Sequence, residues 1–219
     1  MKRWVLISDW AIGGSILLTL LWDGICSLFA PGWIAACMIA VIDWFIFIVY
    51  AIKYKDSLVF RLMIFAVVAG WVELLADRWL IVITETLVYQ PGGPFVVSSP
   101  LYMPFTWGVV LVQTAYVGWR ILKSFGLVRA ILVTSSLGAI TIPLYECWAK
   151  GAMWWYYQNS RMWGVVPFYI IVGEFFVVGA LVLLVRMFEG RPWWFAPIFG
   201  LVQGLWIWLC YIFAFTLVG

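Results

Sequence analysis

Six acidic residues, Asp23, Asp43, Glu73, Asp77, Glu146 and Glu174, fall inside apolar stretches of this 219-residue chain, while the basic residues are almost confined to the ends of those stretches. An ionisable group within a membrane helix costs roughly 2.5 to 3.5 kcal/mol on insertion scales, so each calls for a partner or a purpose. Carboxyls buried without a cation are expected to be neutral, and a neutral buried carboxylic acid is a proton donor. Glu73 and Asp77, four residues apart, share one helix face and could hold a proton between them. Glu146 and Glu174 complete the candidate catalytic set, one of them accepting a proton or orienting water. The structural alternative is a salt-bridge cluster at one membrane face, with Asp77 on Arg78 or Lys150 and Glu146 on Lys150.

The elements that must position these acids follow from composition. The chain is 66% hydrophobic and 11% charged, with a mean hydropathy of +1.07, whereas soluble domains are about a quarter charged. Runs of about 20 apolar residues cross a hydrocarbon core of ~30 Å. Seven occur, at Asp9–Phe29, Trp33–Ala51, Leu58–Leu80, Met103–Ile121, Ala130–Ala149, Val165–Val185 and Trp194–Phe215. The expected fold is therefore all-α, a single polytopic membrane domain over residues 1–219 with seven transmembrane helices.

Loop charges orient it. With the N-terminus in the cytoplasm, Lys2, Arg3, Lys53, Lys55, Arg61, Arg120, Lys123, Arg129, Arg186 and Arg191 fall on the inner side, leaving Arg78, Lys150 and Arg161 outside. That asymmetry is the one expected of cytoplasmic loops; the expected location is a bacterial inner (cytoplasmic) membrane. The basic start MKRW leads into an apolar run with no convincing small-residue cleavage site, so the first span is read as retained.

Two outer connections resemble each other. GWVELLADRWL, TLVYQ and SSPLYMPFTW parallel IPLYECWAKGA, WWYYQ and VVPFYIIVGE, covering residues 70–107 and 141–174. Each copy has a glutamate (Glu73, Glu146), a Tyr-Gln pair (Tyr89-Gln90, Tyr157-Gln158), a proline (Pro100, Pro167) and a tyrosine two residues later (Tyr102, Tyr169). The spans involved are the third and fourth and the fifth and sixth, running parallel. Parallel repeats commonly place a site at their interface; the plainer reading is that proline starts a helix and tyrosine marks an interface.

Aromatics make up 20% of the chain, with 17 Trp, more than two interfacial belts require. Around the acids, Trp71, Tyr89, Tyr102, Trp107, Trp155, Tyr157 and Tyr169 are the candidates to line a substrate site, because ring faces stabilise cations by about 0.5 to 2 kcal/mol apiece when desolvated. An acid that protonates an alkene inside an aromatic box makes and tolerates a carbocation.

The order of Glu73 in a Gly-Trp-Val-Glu helix, Tyr89, SSPLYMPFTW, IPLYE, MWWYY and WGVVPFYIIVGE resembles the membrane carotenoid hydratases acting on bacterioruberin precursors. More distantly it is similar to the small membrane lycopene cyclases and the seven-helix meroterpenoid cyclases of fungi. The resemblance implies acid-initiated hydration or cyclisation of an isoprenoid, without metal or redox cofactor, with Glu73, Glu146 and Glu174 as the acids.

The leading expectation is thus a membrane enzyme in which Glu73 or Asp77 protonates a C=C of an isoprenoid or carotenoid. Its partners are the bilayer and an apolar isoprenoid-like ligand. Competing classes are a non-catalytic scaffold, a lipid- or pigment-binding subunit of a larger membrane complex, and a proton-coupled transporter. Histidine is absent, which argues against haem, copper or a catalytic zinc of the usual ligands. Cys26, Cys37, Cys147 and Cys210 form no CxxC pair and read as packing residues. The net charge of +3 suggests no nucleic-acid partner. A retinal protein is disfavoured because the last span has no lysine.

Overall fold

The computed structural model describes residues 6–219. Among them run seven helices, α1 (Ile7–Phe29), α2 (Trp33–Tyr54), α3 (Ser57–Val82), α4 (Met103–Phe125), α5 (Leu127–Gly151), α6 (Phe168–Phe188) and α7 (Phe195–Val218). Six are long and apolar enough to cross a membrane. α4 falls short because it carries Gln113, Arg120 and Lys123. It also packs against α1, α2, α3, α5 and α6, so its polar groups have protein rather than lipid to meet. The chain is an all-α integral membrane protein. The expected spans match these helices to within a few residues, with α6 starting later because Val166–Pro167 belong to a hairpin.

The helices alternate in direction. At one end Arg120 pairs with Asp9 at 2.7 Å and Lys123 with Glu189, while Arg61 donates to the Glu189 carbonyl. These contacts gather the start of α1, the start of α3 and the ends of α4 and α6. Eight of the eleven described basic residues lie at this end, and Arg78, Lys150 and Arg161 at the other. Lys2 and Arg3 lie outside the described residues. Local signals set the boundaries: the Asp56 carboxylate caps α3 by accepting from the amides of Leu58 and Val59 at 3.0 and 3.1 Å.

The α3–α4 and α5–α6 connections at the opposite end are built alike. Each contributes one strand to a central antiparallel ribbon, β1 (Leu87–Tyr89) against β4 (Trp155–Tyr157), with Leu87 opposite Tyr157 and Tyr89 opposite Trp155. Each then folds a small hairpin, β2 (Phe95–Val96) with β3 (Ser99–Pro100) and β5 (Met162–Trp163) with β6 (Val166–Pro167). Backbone bonds repeat the correspondence: Gln90 N–H donates to the Trp154 carbonyl and Gln158 N–H to Thr86, while Leu101 N–H donates to Pro94 and Phe168 N–H to Arg161. The ribbon therefore sits on a local two-fold axis between the two connections. Buried residues of this half, including Leu80, Met103, Trp154, Trp155, Tyr169 and Tyr211, form the core beneath it.

Candidate functional site

Asp77 and Glu146 occupy corresponding places. Asp77 lies six residues before Ile83, which caps α3, and Glu146 six residues before Ala152, which caps α5. Each carboxylate reaches the ribbon that follows its helix. Asp77 Oδ2 accepts from the Tyr89 hydroxyl at 2.5 Å and from Ser99 Oγ at 2.7 Å. Glu146 Oε2 accepts from the Trp155 indole at 2.6 Å, and its Oε1 from the Tyr157 hydroxyl at 3.4 Å. Burial, and then the nearness of Asp77, raises the Tyr89 phenol well above its ordinary value; burial and Glu146 do the same for Tyr157. Both tyrosines thus stay protonated and remain donors. The motif parallel between Glu73 and Glu146 is not the one the hydrogen bonds make.

Both dyads face one cavity of about 330 Å³, which also receives Glu174 from α6. Glu174 Oε1 accepts from the Tyr211 hydroxyl of α7 at 2.5 Å. The walls are mostly apolar and aromatic, with Trp107, Tyr145 and Trp148 joining Tyr89, Trp155 and Tyr157. Trp155 is the hub of this cluster, its ring centroid 6.1 Å from Tyr89, 5.8 Å from Tyr145 and 6.0 Å from Trp154. Toward the basic end the wall turns to Gln113, Thr114, Thr134 and Thr141. Leu20 of α1 and Leu137 and Leu144 of α5 line the cavity yet are 43%, 42% and 49% exposed, so its mouth opens sideways between these helices onto the lipid face.

The other sequence candidates fall around this centre. Glu73 is fully buried one turn before Asp77, but it lies off the cavity wall, and its carboxyl has only the neighbouring Asp77 carboxyl to share a proton with. Trp71 points away altogether: it is 41% exposed, with its ring edge-on to Phe105. Tyr102 is buried at the start of α4 without lining the cavity. Tyr169 is buried behind the ribbon, its hydroxyl 2.7 Å from Thr86 Oγ1 and its ring against Tyr157. Trp107, Tyr89, Trp155 and Tyr157 are on the wall. The alternative salt-bridge cluster does not form: among the described residues the ion pairs are Arg120–Asp9 and Lys123–Glu189, and neither includes Asp77 or Glu146.

A second polar group crosses the bundle. Asp43 of α2 accepts from Ser15 Oγ at 2.7 Å and Thr19 Oγ1 at 2.8 Å, and the Gln113 amide of α4 donates to both hydroxyls at 2.8 and 3.1 Å. Sequence reasoning missed Ser99, Tyr211 and Gln113, whose partners lie 22 to 98 residues away; only the SSP motif placed one of them near the site. Tyr145, within the IPLYE motif, also stands on the wall.

No curated protein and no solved structure matches the chain. One family does match, over residues 74–218 and hence 145 of the 219 residues, a span that takes in Asp77, Glu146 and Glu174; the chain belongs to this family, described as a domain of unknown function (DUF6989).

Proposed function

We propose that the protein is a membrane enzyme that adds a proton to a C=C of an isoprenoid or carotenoid and directs the resulting cation to hydration or cyclisation. The observation that carries this reading is the cavity: three carboxyls, Asp77, Glu146 and Glu174, on the wall of an aromatic chamber that opens to lipid. Its volume of about 330 Å³ is at the small end of the range for ligand sites. It holds one end group, while the remainder of a long polyisoprenoid stays in the bilayer.

In this reading Asp77 is the acid. It transfers its proton to the alkene, forming a C–H bond and a carbocation, and the Tyr89 and Ser99 hydroxyls receive the charge left on Oδ2. Trp155, Tyr89, Tyr157 and Trp107 present rings to the cation. Attack by water followed by loss of its proton gives the alcohol; attack by an internal C=C followed by loss of a proton gives a ring. Glu146 or Glu174 accepts the departing proton in the cyclising branch. Glu73, behind Asp77 and within hydrogen-bond reach of its carboxyl, shares the acid's proton rather than touching substrate. The orientation proposed is N-terminus in the cytoplasm, with the acids in the outer half of a bacterial inner membrane.

The test is to express Asp77→Asn and Glu146→Gln in a host that accumulates acyclic isoprenoids and to analyse lipid extracts. Loss of hydroxylated or cyclised product in D77N is expected. Unchanged product in both variants, with the protein present in the membrane, would refute the assignment.

A further inference from the structure

A second, much smaller space lies beside the cavity. It measures about 10 Å³, and its wall includes Asp23 of α1 and Asp43 of α2. That is about the room one water molecule needs. Asp23 is 1% exposed, and its Oδ1 has no hydrogen-bond partner, an arrangement that is costly unless something donates to it. Asp43 is differently placed, since Ser15 and Thr19 already donate to its two oxygens and Gln113 fixes those hydroxyls. Other polar groups complete the surroundings of a water. Thr106 Oγ1 donates to the Tyr102 carbonyl at 3.2 Å and keeps its lone pairs free. Tyr145, which also lines the space, can supply a phenol proton. Thr19, Thr106, Val110, Tyr145 and Trp155 line both spaces, so the chamber and the cavity abut.

We propose that this chamber holds one ordered water molecule donating to Asp23 Oδ1, and that this water is the nucleophile of the hydration. The role rests on the reading of the cavity as an isoprenoid site; the water site itself does not. The step balances as follows. Asp77 gives its proton to one alkene carbon, and the water oxygen forms a C–O bond to the cationic carbon. One water proton then passes to the Asp23 carboxylate. H and OH have been added across the C=C, and the protons on Asp23 and Asp77 re-equilibrate through solvent after the product leaves.

Two measurements on the full-length protein test this. The first is a cryo-EM map at a resolution that shows ordered solvent, in which a density peak is expected about 3 Å from Asp23 Oδ1. The second is the ratio of hydroxylated to deprotonated (isomerised or cyclised) product in H2(18)O. Asp23→Leu fills the chamber and is expected to lower that ratio about tenfold or more, and Asp23→Asn, which keeps an acceptor oxygen but cannot take the water proton, to lower it by less. An empty chamber in the map overturns the site. A peak with an unchanged product ratio in D23L overturns the role. If D23L does not fold, a D23N enzyme with an unchanged ratio of hydroxylated to deprotonated product overturns the role. A wild-type protein inert on isoprenoids, with the peak present, removes the hydration role and the reading of the cavity while the water site stands.

Discussion

The crossing of α3 and α4 sets the width of the cavity, and Gly70→Ala tests it. A Cβ placed on Gly70 would lie 2.1 Å from the Pro104 carbonyl oxygen and 3.0 Å from its carbon. Ordinary contact begins at 3.4 Å, so the two backbones would have to part by about 1.3 Å, the difference between 3.4 and 2.1 Å. The clash is with backbone, so no side chain can rotate aside, and the cost belongs at the upper part of the roughly 1 to 3 kcal/mol range for overpacking. Alanine's better helix propensity returns up to about 1 kcal/mol. A net loss of about 2 kcal/mol is expected, and at ~2 to 4 °C per kcal/mol for a chain of this size, a fall of about 4 to 8 °C in Tm. Gly13→Ala is the control, because a Cβ there meets nothing within 4 Å; it should leave Tm unchanged or raise it. The assay is thermal unfolding of the purified protein in nanodiscs. Met103, Thr106 and Trp107 follow Pro104 or adjoin it on the cavity wall, so a displaced α4 should also loosen the site. G70A as stable as G13A would refute the close crossing and the cavity dimensions built on it.

Tyr89→Phe removes a 2.5 Å donor to Asp77 and Tyr157→Phe a 3.4 Å donor to Glu146; the first should slow isoprenoid turnover about tenfold or more and the second by less, and the reverse order in product assays would contradict the acid assignment. Val97 sits at φ 58° in the turn between β2 and β3, where the β5–β6 turn has Gly164 at φ 64°. Val97→Gly should therefore raise stability by about 1 kcal/mol, and Gly164→Val should lower it, both read by thermal unfolding. Asp43→Ala strips an acceptor from Ser15 and Thr19 and leaves the Ser15 hydroxyl, held by Gln113, with nowhere to donate, while Thr19 keeps the Ser15 carbonyl at 3.0 Å; a loss of about 2 kcal/mol is expected, with Asp43→Asn recovering part of it, and an unchanged melting profile would show the network to be dispensable.

The spans were legible because a bilayer demands long apolar runs and their ends carry charge, capping and proline: α2 starts at Trp33, and α4 at Met103 beside Pro104, where the sequence places them. The likeness of the outer connections was legible through residues whose backbone role is fixed, the prolines and the Tyr-Gln pairs. The facing of individual side chains was not. Trp71 and Glu73 belong to the same motif, yet a helix turns about 100° per residue, and only the packing of α7 and α4 on α3 decides which directions are core, lipid or cavity. Trp71 went to the surface, Glu73 to the α3 interior and Asp77 to the cavity wall. Tyr211 could not be paired with Glu174 from spacing, because the two sit on different helices.

The corresponding positions also bear on how one cavity could hold both the acid and the base of the proposed reaction. Two identical halves about the β1–β4 ribbon would supply two identical carboxyls, each equally able to give or take the proton. The chain breaks that equivalence at the positions that matter. Asp77 stands six residues before its helix cap where the other half has the longer Glu146. Both donors to Asp77 fall on one oxygen, whereas Trp155 and Tyr157 divide between the two oxygens of Glu146. The hairpins fix a further correspondence: Pro100 and Pro167 pair with Phe95 and Met162, and seven residues beyond them lie Trp107 on α4 and Glu174 on α6. One half therefore turns an indole toward the cavity where the other turns a carboxyl. In the proposed reaction, a cation formed beside Asp77 would meet an aromatic face on its own side and two more carboxyls on the other, the asymmetry that would separate giving a proton from taking one.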